Sequence, residues 1–380
     1  MASTRTQTAM LDLDHAPDTV TADTVTAAPG PVKCYNEWDP LEEVIVGIVD
    51  NAHFPPWHVA VGAPLSPAQR EIFRQRAGQP FPADQVAAAR DELDQLVDIL
   101  ESKGVEVRRP EPRDHSVSYG VPGWSSTGLY DAMPRDLLLV VGDEIIEAPM
   151  SWRSRHHSVS AFRPLLKEYF RRGARWASAP KPELHDELYV EGWTDQPDGE
   201  PFRSVITEYE PTFDAADFIR CGRDIFVQRS HVTNGMGIEW LRRHLGDDYR
   251  VHEVALVDDH PMHIDASLMP LAPGKLLIQS ERVPKVPDLL KDWEVRSAPP
   301  PVIPDSHPLY MTSKWINMNV LMLDEQHMLV EAQDEPMQRL AESWGITPIL
   351  CPFRNFNSFG GSFHCATVDV RRRGELRSYV

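Results

Sequence analysis

Short apolar segments, tight turns and amphipathic helices follow one another in the same order along most of the chain. In the first copy of this pattern, the apolar residues 137–141 and 145–148 flank a turn, and a helix is predicted over residues 164–172. Further copies begin at Phe218, Ala266 and Asn319. Each copy predicts a ββαβ unit, in which a hairpin is followed by a helix and a third strand.

A fifth unit can be assembled only from both ends of the chain. Residues 365–370 supply one strand, and residues 44–49 with a helix over residues 84–103 supply the rest. The apolar face of that helix consists of Val86, Leu93, Leu96, Val97 and Leu100. Because joining the termini leaves no outer repeat unpaired, the five units predict an α/β fold closed into a ring. An open α+β sandwich of unrelated hairpins is the alternative.

The first 33 residues differ from the rest of the chain. Residues 1–33 are rich in Thr, Ala, Asp and Pro without periodicity, so we predict a disordered tail before a single domain over residues 34–380. The acidic residues of the tail argue against a mitochondrial transit peptide, and it has no apolar core of a signal peptide. No apolar run reaches the roughly 18 residues of a membrane span. A cytoplasmic protein without membrane contact is therefore expected.

The charge and the cysteine content limit which classes of ligand and of cysteine site the protein can have. The formal net charge of −19 argues against nucleic acid, because phosphate binding uses clustered Lys and Arg, and it suits a cationic ligand better. The cysteines are far apart and form no C-x-x-C motif; they are Cys34, Cys221, Cys351 and Cys365. This spacing indicates neither a zinc knuckle nor a disulfide framework, so free thiols are predicted.

Residues with reactive or charged side chains occur at one place in the repeat, just before the first strand of a unit or at its start. They are Asp136, Asp214, Asp217, His263, Asp265 and Cys365. In a ring of repeats, equivalent positions converge on one end of the central channel. This convergence is the main indication of a functional site in the sequence.

Cys365 is the candidate nucleophile. A lone cysteine at the start of a strand is ordinarily a small buried hydrophobic residue, but the flexible turn at residues 360–362 and the polar neighbours favour a reactive thiol. His364 is expected to point to the opposite face, because side chains alternate along a strand. The general base is therefore sought elsewhere, and His263, which shares a face with Asp265, is the candidate.

Two interpretations are open for the histidines and carboxylates near residue 263. His260, His263 and Asp265 spell H-x-x-H-x-D, which also reads as a metal site, but no further ligand appears at a recognisable spacing, so no metal or other cofactor is predicted. Carboxylates in turns are ordinarily solvated. Several at equivalent repeat positions instead indicate a site for a planar guanidinium, which carboxylates grip bidentately.

From about residue 35 to the C-terminus, long stretches of the chain resemble the amidinotransferase family, most closely the arginine:glycine enzymes. The matching stretches are YNEWDPLEEVIVG from Tyr35, TGLYDAMPRD from Thr127, EIIEAPMSWRSR from Glu144, FDAADFIRCGRDIFVQRS from Phe213, PMHIDA from Pro261, SKWINMNVLMLDE from Ser313 and GGSFHCATVDVRRRGELRSY from Gly360. The resemblance implies a pentein-like fold, a five-bladed α/β propeller of ββαβ modules with pseudo-fivefold symmetry. Only the tail and the loop at residues 195–199 lie outside it.

The resemblance also implies roles for individual residues. Cys365 is implied as the nucleophile, His263 as the general acid and base, and Asp214 as the carboxylate that orients the imidazole. Asp136 and Asp265 are implied to hold the guanidinium of the donor. The residues implied to bind the amino-acid end of the donor are Arg282, Thr312 and Ser313, with Thr312 in place of the usual serine.

The implied reaction moves the amidino group of L-arginine through an amidino-cysteine to an acceptor amine, giving ornithine and a guanidino compound. Glycine is the expected acceptor, with guanidinoacetate as product; lysine, an amino-sugar or another primary amine are alternatives. His260 stands where the glycine enzymes have asparagine, and it is expected to shape the acceptor pocket with Met262. The family also suggests a homodimer.

Three other interpretations are consistent with the same residues. An arginine deiminase-like hydrolase would use the same cysteine, histidine and aspartate. A metal-dependent hydrolase would use the H-x-x-H-x-D motif. A protein that only binds guanidino compounds would need the carboxylates but not the thiol.

Overall fold

The computed structural model describes residues 30–197, 200–311, 313 and 315–380. Its strands, in chain order, are Leu41–Val46 (β1), Glu106–Arg108 (β2), Tyr119–Val121 (β3), Trp124–Ser126 (β4), Leu138–Val141 (β5), Glu144–Glu147 (β6), Arg175–Ser178 (β7), Phe218–Cys221 (β8), Asp224–Val227 (β9), Arg250–Glu253 (β10), Leu268–Ala272 (β11), Lys275–Ile278 (β12), Glu294–Ser297 (β13), Leu321–Asp324 (β14), His327–Glu331 (β15), Thr347–Cys351 (β16) and Thr367–Arg372 (β17). Its α-helices are Val59–Gly62 (α1), Pro67–Arg76 (α2), Ala83–Ser102 (α3), Pro134–Leu137 (α4), Arg163–Arg171 (α5), Gly235–Leu245 (α6), Glu335–Ser343 (α7) and Arg354–Asn357 (α8).

Five three-stranded sheets form the blades of the molecule. In each blade an antiparallel hairpin is followed by a third strand parallel to the second one. The blades are β5-β6-β7, β8-β9-β10, β11-β12-β13, β14-β15-β16 and β17-β1-β2. The last blade joins both ends of the chain, so the five-bladed α/β propeller is confirmed and the open sandwich is excluded.

Burial separates the inner strands from the outer ones. All residues of β5 and β8 are buried, whereas β7 and β13 are exposed at both ends. The inner strands lack polar alternation because both of their faces pack against neighbouring blades, while the outer strands have one face toward solvent. The first strand of each blade therefore lies toward the centre of the ring.

One local prediction of secondary structure is wrong, and several short elements were not predicted. The helix predicted over residues 288–293 is only a 3-10 turn, Asp288–Leu290, because so short a segment does not offset the cost of starting an α-helix. The hairpin β3-β4 and the short helices α1 and α2 were not predicted, because they belong to segments outside the repeat. These segments pack over one end of the ring.

The folded part of the chain begins before residue 34, so the predicted boundary of the tail is wrong. Val32 is buried, and Lys33 N donates to Val370 O at 2.9 Å. Cys34 exchanges two backbone hydrogen bonds with Gly142, of 2.8 and 2.7 Å, in the neighbouring blade. The backbone of this segment satisfies groups at the ends of β17 and β5, which composition alone does not reveal. Residues 1–29 of the predicted tail lie outside the described residues.

A network of buried charges lies among the inner strands. Asp369 accepts from Arg220 at 2.7 Å, from Arg135 at 2.9 Å and from Arg372 at 3.0 Å. Glu37, from the N-terminal segment, accepts from the Arg220 guanidinium at 2.8 and 2.7 Å. Buried charges require partners of this kind to offset their desolvation, and the network joins both ends of the chain to the blade that contains Arg220.

Within the described ranges, none of the helices combines the length and apolar character that a bilayer crossing needs.

The four cysteines are free and buried. The prediction of free thiols is therefore confirmed.

We expect Gly47→Ala to destabilise the protein by about 3 kcal/mol, because it would wedge apart two backbone segments. Gly47 follows β1, and a Cβ there would lie 2.1 Å from the carbonyl oxygen of Ala132. Urea denaturation followed by circular dichroism measures the change. Gly104→Ala is the control: its φ is +81° but a Cβ would meet nothing within 4 Å, so a cost of about 1 kcal/mol is expected. Equal costs for the two variants would contradict the prediction.

Candidate active site

A short helical or turn segment precedes the first strand of each blade. These segments are α4, the 3-10 turns Ala215–Asp217, Ile264–Ala266 and Ile316–Met318, and the turn at residues 363–366 before β17. Neighbouring segments contact one another around the ring. They bring together the side chains of Asp136, Asp214, His263, Asp265, Asn319 and Cys365. Equivalent positions of the repeat therefore meet at one end of the molecule.

His263 lies between two carboxylates. Its Nε2 is 3.1 Å from Asp214 Oδ2, and its Nδ1 is 3.6 Å from Asp136 Oδ1. The backbone φ of His263 is +64°, a left-handed conformation that residues other than glycine adopt only where their surroundings impose it. Asp136 lines the adjacent cavity and Asp214 lies behind the ring. The Nδ1 edge of the imidazole is therefore the one directed toward the cavity.

The Cys365 thiol faces the same groups. Its Sγ is 3.5 Å from Asp265 Oδ2 and 3.2 Å from the Asn319 amide nitrogen, and the side-chain oxygen of Asn319 accepts from Cys365 N at 2.9 Å. Ligand atoms of Cys365, His263 and Asp136 all lie within 4.8 Å of one another. The sulfur and the imidazole thus share one small volume.

The protein's own groups favour a neutral thiol beside a charged imidazole. Burial, and then the Asp265 carboxylate, raise the pKa of Cys365 to about 12, although the contact with His263 opposes this. Burial tends to lower the pKa of His263, but Asp136 and Asp214 outweigh it and raise that pKa well above its ordinary value. The protein alone therefore does not lower the pKa of the thiol. A bound cation beside the sulfur would have to do so.

The two carboxylates predicted to hold a guanidinium are each fixed through one oxygen. Asp136 Oδ2 accepts from Arg155, while its buried Oδ1 has no hydrogen-bond partner. Asp265 Oδ2 accepts from Asn319 Nδ2 and His364 Nδ1, both at 2.7 Å. An unpaired buried carboxylate oxygen is costly unless a ligand or another partner meets it. The position of Asp136 Oδ1 therefore marks a place for a hydrogen-bond donor.

A cavity of about 460 Å³ opens beside these residues. Arg282 and Ser313 line it, and the Arg282 guanidinium is held by Asp258 at 2.8 Å and by the Ala266 carbonyl at 3.3 Å. Burial lowers the pKa of Arg282 despite the nearby Asp258. Thr312, the third residue predicted for the amino-acid end of the donor, lies outside the described residues.

His260 and Met262 line the other part of this cavity. His260 Nδ1 is 3.0 Å from the Ala63 carbonyl, which precedes α2, and 3.9 Å from Asp195 Oδ1. Asp195 forms a bidentate ion pair with Arg70 of α2, with both distances 2.5 Å. Residues at the start of α2, Ser66 and Gln69, line the same cavity as His260, and Asp195 contacts both His260 and α2.

The predicted orientation of His364 is wrong. The strand begins at Thr367, so His364 and Cys365 belong to a turn and the alternation of strand side chains does not apply. His364 Nδ1 and Cys365 Sγ both reach Asp265 Oδ2. Asn319, Arg155 and His364 were missed as site residues; of these, only Asn319 carried a signal, since it opens the fourth repeat.

Asp217, which like Asp214 precedes the first strand of its blade, does not line the cavity and has a structural role. Its carboxylate accepts from Ser230 Oγ at 2.6 Å, from Thr233 Oγ1 and from Gln228 Nε2 at 2.8 Å. Burial raises its pKa to about 6. With its oxygens occupied and no place among the cavity-lining residues, Asp217 fixes the turn before β8 instead of facing a ligand.

The H-x-x-H-x-D motif does not form a metal site in the described part of the chain. His260 faces Ala63 and Asp195, whereas His263 faces Asp214 and Asp136. The set of three ligand atoms found within 4.8 Å in those ranges is Asp136, His263 and Cys365, from three blades. The spacing of the H-x-x-H-x-D motif therefore did not predict which side chains lie close together.

Comparison with known proteins gives close relatives, although no protein-family model matches the chain. The chain is 61% identical over 350 residues to the L-arginine:L-lysine amidinotransferase of Pseudomonas savastanoi pv. phaseolicola, covering 92% of this chain and 97% of that protein. It is 51% identical over 369 residues to the mitochondrial glycine amidinotransferase of Danio rerio, covering 93% and 86%.

Comparison with solved structures indicates the same family as these two relatives. An amidinotransferase of the saxitoxin biosynthetic pathway from Microseira wollei superimposes with a TM-score of 0.89 and 48% identity, covering 92% of this chain and all of that one. Identity of this extent over nearly the whole chain, together with the same five-bladed fold, establishes a common family. The chain is a member of the amidinotransferase family.

Proposed function

We propose that this protein transfers the amidino group of L-arginine to the side-chain amine of L-lysine through an amidino group carried on Cys365. The observation that carries the proposal is the thiol, the imidazole of His263 and the carboxylate of Asp136 within 4.8 Å of one another at the floor of the cavity. Identity of 61% to an arginine:lysine enzyme supports the same reaction.

In this proposal the donor guanidinium lies between Asp136 and Asp265. Asp136 Oδ1, which has no hydrogen-bond partner but lies 3.6 Å from His263 Nδ1, accepts from one of its nitrogens, and Arg282 with Ser313 binds the α-carboxylate in the same cavity. The guanidinium brings positive charge next to Sγ and offsets the Asp265 carboxylate that raises the thiol pKa. Arginine therefore promotes release of the thiol proton to solvent before the attack and activates its own attacking group.

The first half-reaction then needs one acid. The thiolate of Cys365 attacks the guanidinium carbon, and the bond from that carbon to the ornithine nitrogen breaks. The imidazolium of His263, maintained by Asp136 and Asp214, gives its proton to the departing nitrogen. Ornithine leaves, the amidino group remains on sulfur, and the imidazole is neutral.

The second half-reaction reverses these steps with another amine. The neutral His263 takes a proton from the acceptor nitrogen as it attacks the amidino carbon, and the bond to Sγ breaks to restore the thiolate and the imidazolium. Water at this stage would release urea, so the site has to keep water from the amidino group until the acceptor binds.

Lysine suits this site because it has the same α-amino-acid end as the donor. An Arg282 site that binds the carboxylate of arginine also binds that of lysine, and the lysine chain then occupies the space that ornithine leaves. Glycine, the acceptor predicted from the sequence, is the second candidate because several relatives near 50% identity are glycine amidinotransferases. Glycine would leave much of a cavity of about 460 Å³ to water.

A panel of amines with arginine as donor tests the acceptor. We expect kcat/KM for lysine to exceed that for glycine by at least about tenfold, because binding of the α-carboxylate and the aliphatic chain contributes more than about 1.4 kcal/mol. Formation of the guanidino products is measured by mass spectrometry. A kcat/KM for glycine equal to or above that for lysine would contradict the choice of lysine.

Arginine supplied without an acceptor separates the transferase from a hydrolase. The proposal predicts a single turnover and no sustained release of urea or citrulline. Sustained citrulline release would favour the arginine deiminase-like alternative.

A homodimer and a cytoplasmic location stay predictions from the sequence.

A further inference from the structure

His364 connects the site to the buried charges at the centre of the ring. Its Nδ1 is 2.7 Å from Asp265 Oδ2, and its Nε2 is 3.2 Å from Glu37 Oε2. His364 and Asp265 are each 1% exposed, and Glu37 is 2% exposed. Both nitrogens of one buried imidazole therefore face carboxylate oxygens.

This arrangement suits an imidazole that donates from both nitrogens. An ionised carboxylate only accepts hydrogen bonds, and both nitrogens of a histidine donate only when the ring is protonated. Glu37 is itself held ionised by the Arg220 guanidinium, with contacts of 2.8 and 2.7 Å. A continuous chain of alternating charges thus runs from Arg220 through Glu37 and His364 to Asp265.

The charge of His364 acts on Asp265. Burial by itself raises the pKa of a carboxyl group, but the hydrogen bond and the charge of His364, followed by the charges of His263 and Arg135, outweigh burial and lower the pKa of Asp265. The same hydrogen bond, with that of Asn319, occupies Oδ2 and sets the plane of the carboxylate beside Cys365 Sγ.

We propose that His364 is a positioning residue that keeps Asp265 ionised and oriented for the cationic guanidinium of the donor. This role rests on the proposed function, since it assumes that Asp265 receives that group. His364 then makes the site selective for the charge of the ligand and not for its shape. It distinguishes a guanidinium from a neutral ureido group of nearly the same size.

Binding measured without turnover tests the role. In a Cys365→Ala background, which cannot form the amidino intermediate, calorimetry gives Kd for arginine and for citrulline, its neutral analogue. We expect His364→Gln to weaken arginine binding by about 10- to 100-fold and citrulline binding by less than about threefold. Equal weakening of both ligands would overturn the role, because it would indicate a merely structural effect, and so would no change for arginine.

A second variant separates the effect of the charge of His364 from the effect of its hydrogen bond. The amide nitrogen of asparagine can occupy the position of Nδ1, so His364→Asn keeps a donor to Asp265 without the charge, and a loss of arginine affinity between those of the parent and His364→Gln is expected. An asparagine variant with the arginine affinity of the parent would also overturn the role of the charge. If the parent Cys365→Ala protein shows no preference for arginine over citrulline, the proposed donor site is wrong and this role with it.

Discussion

Replacing Cys365 by serine is expected to abolish the exchange of labelled arginine with ornithine, with a loss on the order of 10⁵-fold. The exchange needs only the first half-reaction and its reversal, so it does not depend on the identity of the acceptor. A serine hydroxyl at this position is far less acidic than a thiol, and the nearby Asp265 carboxylate would raise its pKa further. Radiolabel exchange followed by chromatography measures the effect.

Cys351→Ser is the matched control for this substitution. Cys351 is also a buried free thiol, but its Sγ contacts the Pro352 carbonyl and it does not line the cavity. Exchange by this variant is expected to stay within about twofold of the unsubstituted protein once corrected for the folded fraction. Persistent exchange in Cys365→Ser would dismiss the covalent mechanism.

His263→Asn is expected to slow both half-reactions by about 10²- to 10⁴-fold, the range of a general acid or base, and to leave arginine binding within a few-fold. One residue serves both steps in opposite directions, because it gives a proton to ornithine in the first step and takes one from the acceptor in the second. Rapid-quench measurements of amidino-enzyme formation and of its reaction with lysine give the two rates separately.

His115→Asn is the control, because His115 also contacts a buried carboxylate, Asp131, at 3.1 Å but lies away from the cavity. It is expected to change the stability of the protein without changing either rate. An effect of His263→Asn on only one half-reaction would mean that a second acid or base takes part.

The fold could be predicted from the sequence because its units repeat. Each hairpin, helix and third strand has the same apolar pattern, and the incomplete unit at each terminus indicated closure of the ring. The elements that were missed, α1, α2 and β3-β4, lie outside the repeat and have no second copy for comparison. The boundary of the tail was missed because Val32 and Lys33 are fixed by contacts with the C-terminal strand, which the local sequence does not show.

The clustering of side chains at the candidate site was predictable as far as repeat position extends. Asp136, Asp214, His263 and Cys365 precede inner strands, and equivalent positions of a ring must meet. Partners from other parts of the chain could not be found in this way. Arg155, which contacts Asp136, and Glu37, which contacts His364, occupy no equivalent position.

The structure gives the direction of the thiol pKa in the protein alone. The distance of 3.5 Å from Cys365 Sγ to Asp265, together with burial, raises the pKa of Cys365. In the proposed mechanism the cationic substrate therefore activates the thiol.

Mass spectrometry of the protein after brief exposure to arginine, with acid quenching and no acceptor amine, tests the covalent intermediate most directly. We predict an added amidino group on the peptide that contains Cys365, absent after the same treatment with citrulline and removed when lysine is added before quenching. Unmodified Cys365 under conditions in which arginine is consumed, or an amidino group on Cys34, Cys221 or Cys351 instead, would contradict the account.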